Sequence, residues 1–275
     1  MRISMKGLFP LLFAALLSGG CQTVQTTSGG TVGVDREQLM MVSSSEVEQA
    51  SRQQYEEIIA AARNKNLLNR DAAQLQRVRR IAGRLTAHTG YFRADAPAWR
   101  WEVNVIKSDE LNAWCMAGGK IAFYSGLIDR LGLSDDEIAA VMGHEIAHAL
   151  REHARERISK SMATGLGISV AGALLGVGQA GQDLMGSVAK VTFELPNSRL
   201  HETEADRIGV ELAARGGYDP RAAVTLWTKM AAQSSGSPPQ WLSTHPSHAT
   251  RQSDLAKYAA RVMPLYEQAR KGRVE

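Results

Sequence analysis

Apolar side chains recur every three or four positions in two stretches of the N-terminal half. One stretch runs from about Glu46 to Arg63 and repeats through Tyr55 and Ile59, and the other runs from Asp71 to His88 and repeats through Val78. This spacing places the apolar residues on one face of a helix. Both stretches are therefore predicted to be helices that bury one face in a common core.

Between Trp99 and Ile106 the pattern changes, and apolar residues occupy every second position. Such alternation predicts a strand with one buried face. Two more short strands are predicted, one around Ala113 and one over Lys120 to Tyr124, after the turn signal Gly118-Gly119. Because the rest of the chain has helical patterns, the expected fold class is α+β, mainly α, with one small sheet.

A further helix begins at a capping box, in which Ser134 is the cap and Glu137 follows three positions later. It is predicted to run through at least His153. The segment from Met162 to Ala180 is uncharged and rich in Gly and Ala. A membrane span needs about 20 strongly apolar residues, and this segment is only weakly hydrophobic. A buried or site-flanking helix is therefore favoured over a membrane span.

The N-terminus has the order of an export signal. Basic Arg2 and Lys6 precede the apolar run Gly7 to Leu17, which is followed by small residues 18–20 and Cys21. This order resembles a bacterial lipoprotein signal, in which the cysteine becomes the lipidated first residue of the mature chain. A plain cleavable signal or a buried N-terminal helix is the alternative.

These features divide the chain into a signal peptide over residues 1–20, a flexible tether over 21–35 and a folded domain over 36–275. The tether is predicted because its residues are mostly Thr, Ser, Gly and Gln. Gln22 after the cysteine resembles lipoproteins that are sent to the outer membrane. The expected location is the periplasm, with a lipid anchor at Cys21 in the inner leaflet of the outer membrane.

Composition narrows the classes of function. The formal net charge of +4 is spread along the chain, which gives nucleic-acid binding little support. The chain has two cysteines, Cys21 and Cys115. If Cys21 carries lipid, no intramolecular disulfide remains.

The strongest chemical signal is His144-Glu145-Ile146-Ala147-His148 in the interior of the third predicted helix. Residues four apart share a helix face, so His144 and His148 can bind one metal ion. Glu145 can then face a water beside the metal and act as general base. The alternative is a pair of buried helix histidines without metal.

A catalytic zinc ion needs a third protein ligand, and a later helical segment offers Glu202. Asp206 lies four residues further on, and Ala205 and Gly209 are small enough for this helix to approach the histidine helix closely. Asp206 is expected to accept the ring N–H of a ligand histidine. Glu204 and His201 point elsewhere on the helix and are expected to be solvated.

Several motifs together are similar to one family. They are the H-E-I-A-H run, the run Glu202 to Asp206, the glycine-rich segment between them, and Asn112-Ala113 followed by Gly118-Gly119. They resemble the HtpX and CAAX prenyl protease family of gluzincin metallopeptidases. The likeness is strongest to its periplasmic lipoproteins and Oma-type mitochondrial branch, and it covers most of the chain beyond Arg36.

The resemblance implies a zincin domain whose small sheet flanks the metal helix. It implies one Zn²⁺ per chain on His144, His148 and Glu202, with Glu145 as general base and Asp206 supporting a ligand. Asn112 and Ala113 are expected on an edge strand that binds an extended peptide through its backbone.

Two further residues each have two candidate roles. Relatives carry an element similar to Thr244-His245-Pro246, so His245 is a candidate either to block the water position or to stabilise the oxyanion in turnover. Cys115 is close in sequence to the substrate strand. A thiol that only packs is favoured over one that caps the zinc.

The resulting hypothesis is a zinc endopeptidase that cleaves misfolded or misassembled envelope proteins, with the outer-membrane assembly machinery as a candidate partner. A chaperone that binds unfolded outer-membrane proteins through the same edge strand is the first alternative. A non-catalytic zinc protein is the second, although such a site would not need Glu145 and would be closed by four protein ligands.

Overall fold

The computed structural model describes residues 22–164, 177–233, 239–247 and 250–272. Five strands occur in the described part: β1 Gln22–Val24, β2 Gln38–Met40, β3 Glu102–Ile106, β4 Ala113–Met116 and β5 Lys120–Tyr124. The helices are α1 Ser44–Asn64, α2 Ala72–Thr86, α3 Ser125–Arg130, α4 Asp135–Leu150, α5 His153–Ala163, α6 Val177–Phe193, α7 Arg199–Arg215, α8 Ala222–Ala232, α9 Gln240–Thr244 and α10 Arg251–Lys271. The mainly helical α+β prediction is confirmed.

The three-stranded sheet has the order β3-β5-β4, with β3 and β5 parallel and β4 and β5 antiparallel. The turn between β4 and β5 uses Gly118 and Gly119 at φ values of 74° and 79°, which L side chains rarely adopt. A Cβ on Gly119 would also lie 2.7 Å from the Trp101 ring. All three predicted strands are present, and β4 lies at one edge of the sheet.

The histidine helix α4 begins with the predicted capping box, in which Ser134 and Glu137 bind each other's backbone N–H groups. It ends at Leu150, so the prediction that it continues through His153 is wrong. Glu152 has left-handed backbone angles, φ 50° and ψ 38°, which break the helix. A separate helix, α5, begins at His153.

Helices α4 and α7 cross at two glycines. A Cβ on Gly143 would lie 2.7 Å from the carbonyl oxygen of Gly209, and a Cβ on Gly209 would lie 2.8 Å from the backbone nitrogen of His144. The backbones can therefore approach only because both residues lack side chains. The predicted close approach is confirmed, and it brings α7 directly against the histidines.

The segment between Gln22 and Met40 packs on the domain, which differs from the expected flexible tether over 21–35. Val32 and Val34 are buried in the main core. The backbone N–H of Val32 donates to the Glu211 carboxylate over 3.0 Å, and β1 pairs with β2. The segment is mostly polar, so its composition did not indicate that two valines would anchor it in the core.

The uncharged stretch Met162 to Ala180 lies only partly within the described residues. Helix α5 ends at Ala163 and α6 begins at Val177, and residues 165–176 lie outside the described part. Within the described ranges, every helix is too short or too polar to cross a membrane.

Candidate metal centre

Four side chains converge at the crossing of α4 and α7. His144 and His148 come from α4, Glu202 comes from α7, and His245 follows α9; one donor atom from each lies within 4.8 Å of all the others. The Nε2 atoms of His144 and His148 are 3.0 Å apart. The Glu202 carboxylate is 3.5 Å from His144 Nε2 and 3.4 Å from His148 Nε2.

These distances fit a zinc ion. Zinc takes four ligands in a tetrahedron at about 2.0–2.2 Å, which places its donor atoms roughly 3.4 Å from one another. The measured separations among His144, His148 and Glu202 lie close to that value. Burial lowers the pKa of His148 well below its usual range, so its ring is neutral and can donate a lone pair.

Glu202 is fully buried as an anion. Burial alone raises its pKa, but the nearby His245, His144 and Arg251 outweigh burial and hold the pKa well below the usual range. A carboxylate that stays charged at this depth calls for positive charge around it. That requirement also agrees with a cation in the cluster.

His245 occupies the fourth corner. Its Nδ1 is 3.2 Å from His144 Nε2 and 3.0 Å from the Glu202 carboxylate. Burial lowers its pKa, but Glu202 and Glu145 outweigh burial and the net pKa is raised. Four protein donors surround the centre, whereas a working catalytic zinc keeps one position open.

Glu145 lies at the edge of the cluster, as the sequence predicted. Its Oε1 accepts a 2.7 Å hydrogen bond from the indole N–H of Trp241 and lies 3.5 Å from His245 Nε2. Sequence reasoning missed Trp241, because a tryptophan far along the chain carries no local signal of a catalytic contact. The bond fixes the carboxylate through Oε1 and does not involve Oε2.

Asp206 lies behind His144, with 2.9 Å between Oδ1 and the ring Nδ1. Arg251 was not predicted. It is completely buried and binds both carboxylates, at 2.8 Å from Asp206 Oδ2 and 2.7 Å from Glu202 Oε2. The sequence therefore found the acid that supports His144 but missed the cation that supports both acids.

The sheet edge opens on the same site. Asn112, Ala113 and Cys115 line a cleft together with Glu145 and His148. Burial, and then the Glu145 charge, raise the pKa of the Cys115 thiol well above its usual range, so the group stays a thiol and is a poor nucleophile. The favoured packing role of Cys115 agrees with this position.

Glu204 and His201 are buried, so the expectation that they are solvated is wrong. Only 4% of Glu204 and 2% of His201 is exposed. Glu204 binds Arg36, Arg151 and His153. Burial lowers the pKa of His153 to about 3, which keeps its ring neutral. The helix face opposite the cluster is covered by the N-terminal segment and α5, which no local pattern could show.

Comparison with known proteins gives a family match. The family model of peptidase family M48 matches residues 72–259, a range that contains all four cluster residues. The chain is 37% identical to a mitochondrial metalloendopeptidase OMA1 from Arabidopsis thaliana over 177 residues, which cover 63% of this chain and 35% of that protein.

Two other relatives extend the comparison. The Schizosaccharomyces pombe mitochondrial metalloendopeptidase OMA1 is 30% identical over 249 residues, 88% of this chain and 70% of that protein. An Escherichia coli beta-barrel assembly-enhancing protease is 31% identical over 175 residues, 60% of this chain and 36% of that protein. The matched part thus spans about a third of the A. thaliana and E. coli relatives.

Proposed function

This chain belongs to peptidase family M48, and we propose that it is a zinc-dependent endopeptidase. One observation carries the proposal. A general-base candidate, Glu145, borders a cluster of His144, His148 and Glu202 whose spacing suits zinc, and both open on a cleft along a sheet edge.

The residues divide the work of peptide hydrolysis. His144, His148 and Glu202 would hold a zinc ion, which when bound would supply a Lewis acid for the scissile carbonyl and the attacking water. Glu145 is placed to take a proton from the attacking water and to deliver it to the leaving amine nitrogen. Trp241 holds Glu145 in place for both transfers, and Asp206 keeps His144 in the tautomer that presents Nε2 to the metal.

The substrate binds as an extra strand along β4. An edge strand offers backbone N–H and C=O groups to an extended peptide and reads little of its sequence. Asn112 and Ala113 stand where β4 begins and line the cleft beside Glu145. Broad tolerance for extended, unfolded substrates follows from this arrangement.

The function is tested on the purified chain. We expect one zinc ion per chain and cleavage of casein as an unfolded substrate. Chelation should remove both, and added Zn²⁺ should restore both. Full cleavage by protein that retains no metal would contradict the proposal.

His245 closes the site in a resting state, since its Nδ1 completes a set of four donors. Replacing His245 by alanine should raise basal casein cleavage, by about tenfold if one molecule in about ten is open. A lowered rate would instead support the oxyanion role. His88, which stacks on Tyr91, is the control position. If the alanine variant cleaves casein at the wild-type rate and its zinc coordination, measured for example by X-ray absorption, is also unchanged, His245 is not a gate.

The envelope location is also a proposal. The N-terminal pattern of residues 1–21 supports lipidation at Cys21, and we assign the chain to the periplasmic lipoprotein branch that resembles the Oma type. The E. coli relative is named for beta-barrel assembly, which supports misassembled outer-membrane proteins as substrates and their assembly machinery as a partner. Cell fractionation tests the anchor. The wild type should be recovered with the outer membrane, and Cys21→Ser should not.

A further inference from the structure

A second buried polar network lies behind the metal cluster, and the catalytic steps do not use it. His153 joins this network to the cluster. Its Nδ1 is 2.8 Å from Nδ1 of His148, and its Nε2 is 3.0 Å from the Glu204 carboxylate. Arg36 and Arg151 in turn hold Glu204, at 2.8 Å and 3.2 Å.

The contact between the two histidines depends on the break after α4. In a continuous helix, a residue five positions on is rotated by about 140° and displaced by about 7.5 Å, so His153 would face away from His148. The left-handed angles of Glu152 turn the chain back. Such angles are energetically unfavourable for a non-glycine residue.

The side chain of Glu152 offsets that cost. Its carboxylate binds Arg155 at 2.7 Å and Arg93 at 3.2 Å, and Ser44 donates to it as well. The strained residue is thus held by three partners from different parts of the chain. Backbone strain that is fixed so firmly is typical of functional sites.

The protons in the network fit one arrangement. His148 faces the cluster through Nε2, so a metal there leaves the ring proton on Nδ1. That N–H can donate only to a bare Nδ1 of His153, which then carries its own proton on Nε2. The Nε2–H points to Glu204, whose carboxylate can only accept. Every ring nitrogen in the chain of contacts is satisfied.

The two metal-facing histidines therefore have matching support. Behind His144 stands an acid, Asp206, which is held by a buried arginine. The acid behind His148 is Glu204, and His153 lies between the two. Groups that bind the far nitrogen of a ligand histidine fix its ring and strengthen its binding of metal.

We propose that His153 is a positioning residue for the metal site: it holds the His148 ring toward the ion and is itself fixed by Glu204. This inference rests on the proposed zinc function. A purely structural role, in which the network only stabilises the fold, is the opposing explanation.

Zinc affinity of His153→Ala tests the proposal. The full chain is titrated with Zn²⁺ against a chromogenic chelator, and the dissociation constant should rise by roughly 10–100-fold. His153→Asn places an amide near the former Nδ1 and should recover part of the affinity. His88→Ala is the control and should bind as the wild type does.

Denaturant unfolding with and without Zn²⁺ separates positioning from stability. If His153 positions His148, the increase in unfolding free energy on adding zinc shrinks in His153→Ala and less so in His153→Asn. If the role is structural, both variants lose stability equally with and without zinc, and the inference is overturned. The inference is also overturned if His153→Ala binds zinc as tightly as His88→Ala does. Failure of the wild type to bind zinc would instead contradict the proposed function.

Discussion

Replacing Glu145 by glutamine should lower casein cleavage by about 10²–10⁴-fold while the chain keeps its full complement of zinc. Glutamine has the shape of glutamate but cannot accept the water proton. Glu145 is not among the four clustered donors, so metal binding does not need its charge. Its Oε1 can still accept the Trp241 N–H as an amide oxygen, which preserves the local geometry.

The matched control is Glu57→Gln, at an exposed position of α1, which should cleave at the wild-type rate. Zinc stoichiometry and initial cleavage rates are measured on the same preparations. Cleavage that persists in Glu145→Gln would contradict the assigned base. The same variant separates the endopeptidase from the chaperone alternative, because full rescue of an envelope defect by an inactive protein would favour binding over hydrolysis.

The features that the sequence predicted are those that depend on nearby residues. The pairing of His144 with His148 follows from the helix repeat, and the start of α4 follows from its capping box. Glu202 and Gly209 were recognisable because they lie on one predicted helix, along which acidic and small residues recur at short, regular intervals. The strands β3 to β5 could be predicted from alternation and from two adjacent glycines.

The features that it could not predict depend on contacts between distant segments. Glu204 was expected in water because it points away from Glu202 on the helix. In the fold, Arg36, Arg151 and His153 approach it from elsewhere in the chain. Helix α4 was expected to continue because nothing in its sequence forbids it. The break at Glu152 is imposed by partners on α1, α5 and the loop after α2.

The same reasoning explains why the N-terminal segment was misjudged. Its composition is that of a linker, yet the Arg151 guanidinium donates to the hydroxyls of Thr26 and Thr27 at 3.2 Å and 3.1 Å. A few specific contacts can therefore order a segment whose average polarity indicates flexibility.

Arg251→Met should destabilise the metal-free protein by about 3–5 kcal/mol, the usual loss when one partner of a buried ion pair is removed. Arg251 is completely buried between Glu202 and Asp206, with its guanidinium 3.5 Å from the centre of the Trp227 ring. Methionine fills similar volume against the tryptophan but leaves the two acids without this cation. Urea unfolding of the metal-free variant measures the loss.

Added Zn²⁺ should recover part of that loss, because a divalent cation beside Glu202 replaces some of the missing positive charge and ligand binding stabilises the folded state. Arg261→Met, an exposed position on the same helix α10, should leave the unfolding free energy within about 0.5 kcal/mol of the wild type. Equal stability of Arg251→Met and Arg261→Met would contradict a structural ion pair at this site. A deficit that zinc leaves unchanged would show that Arg251 supports the fold without balancing the charge of the metal ligands.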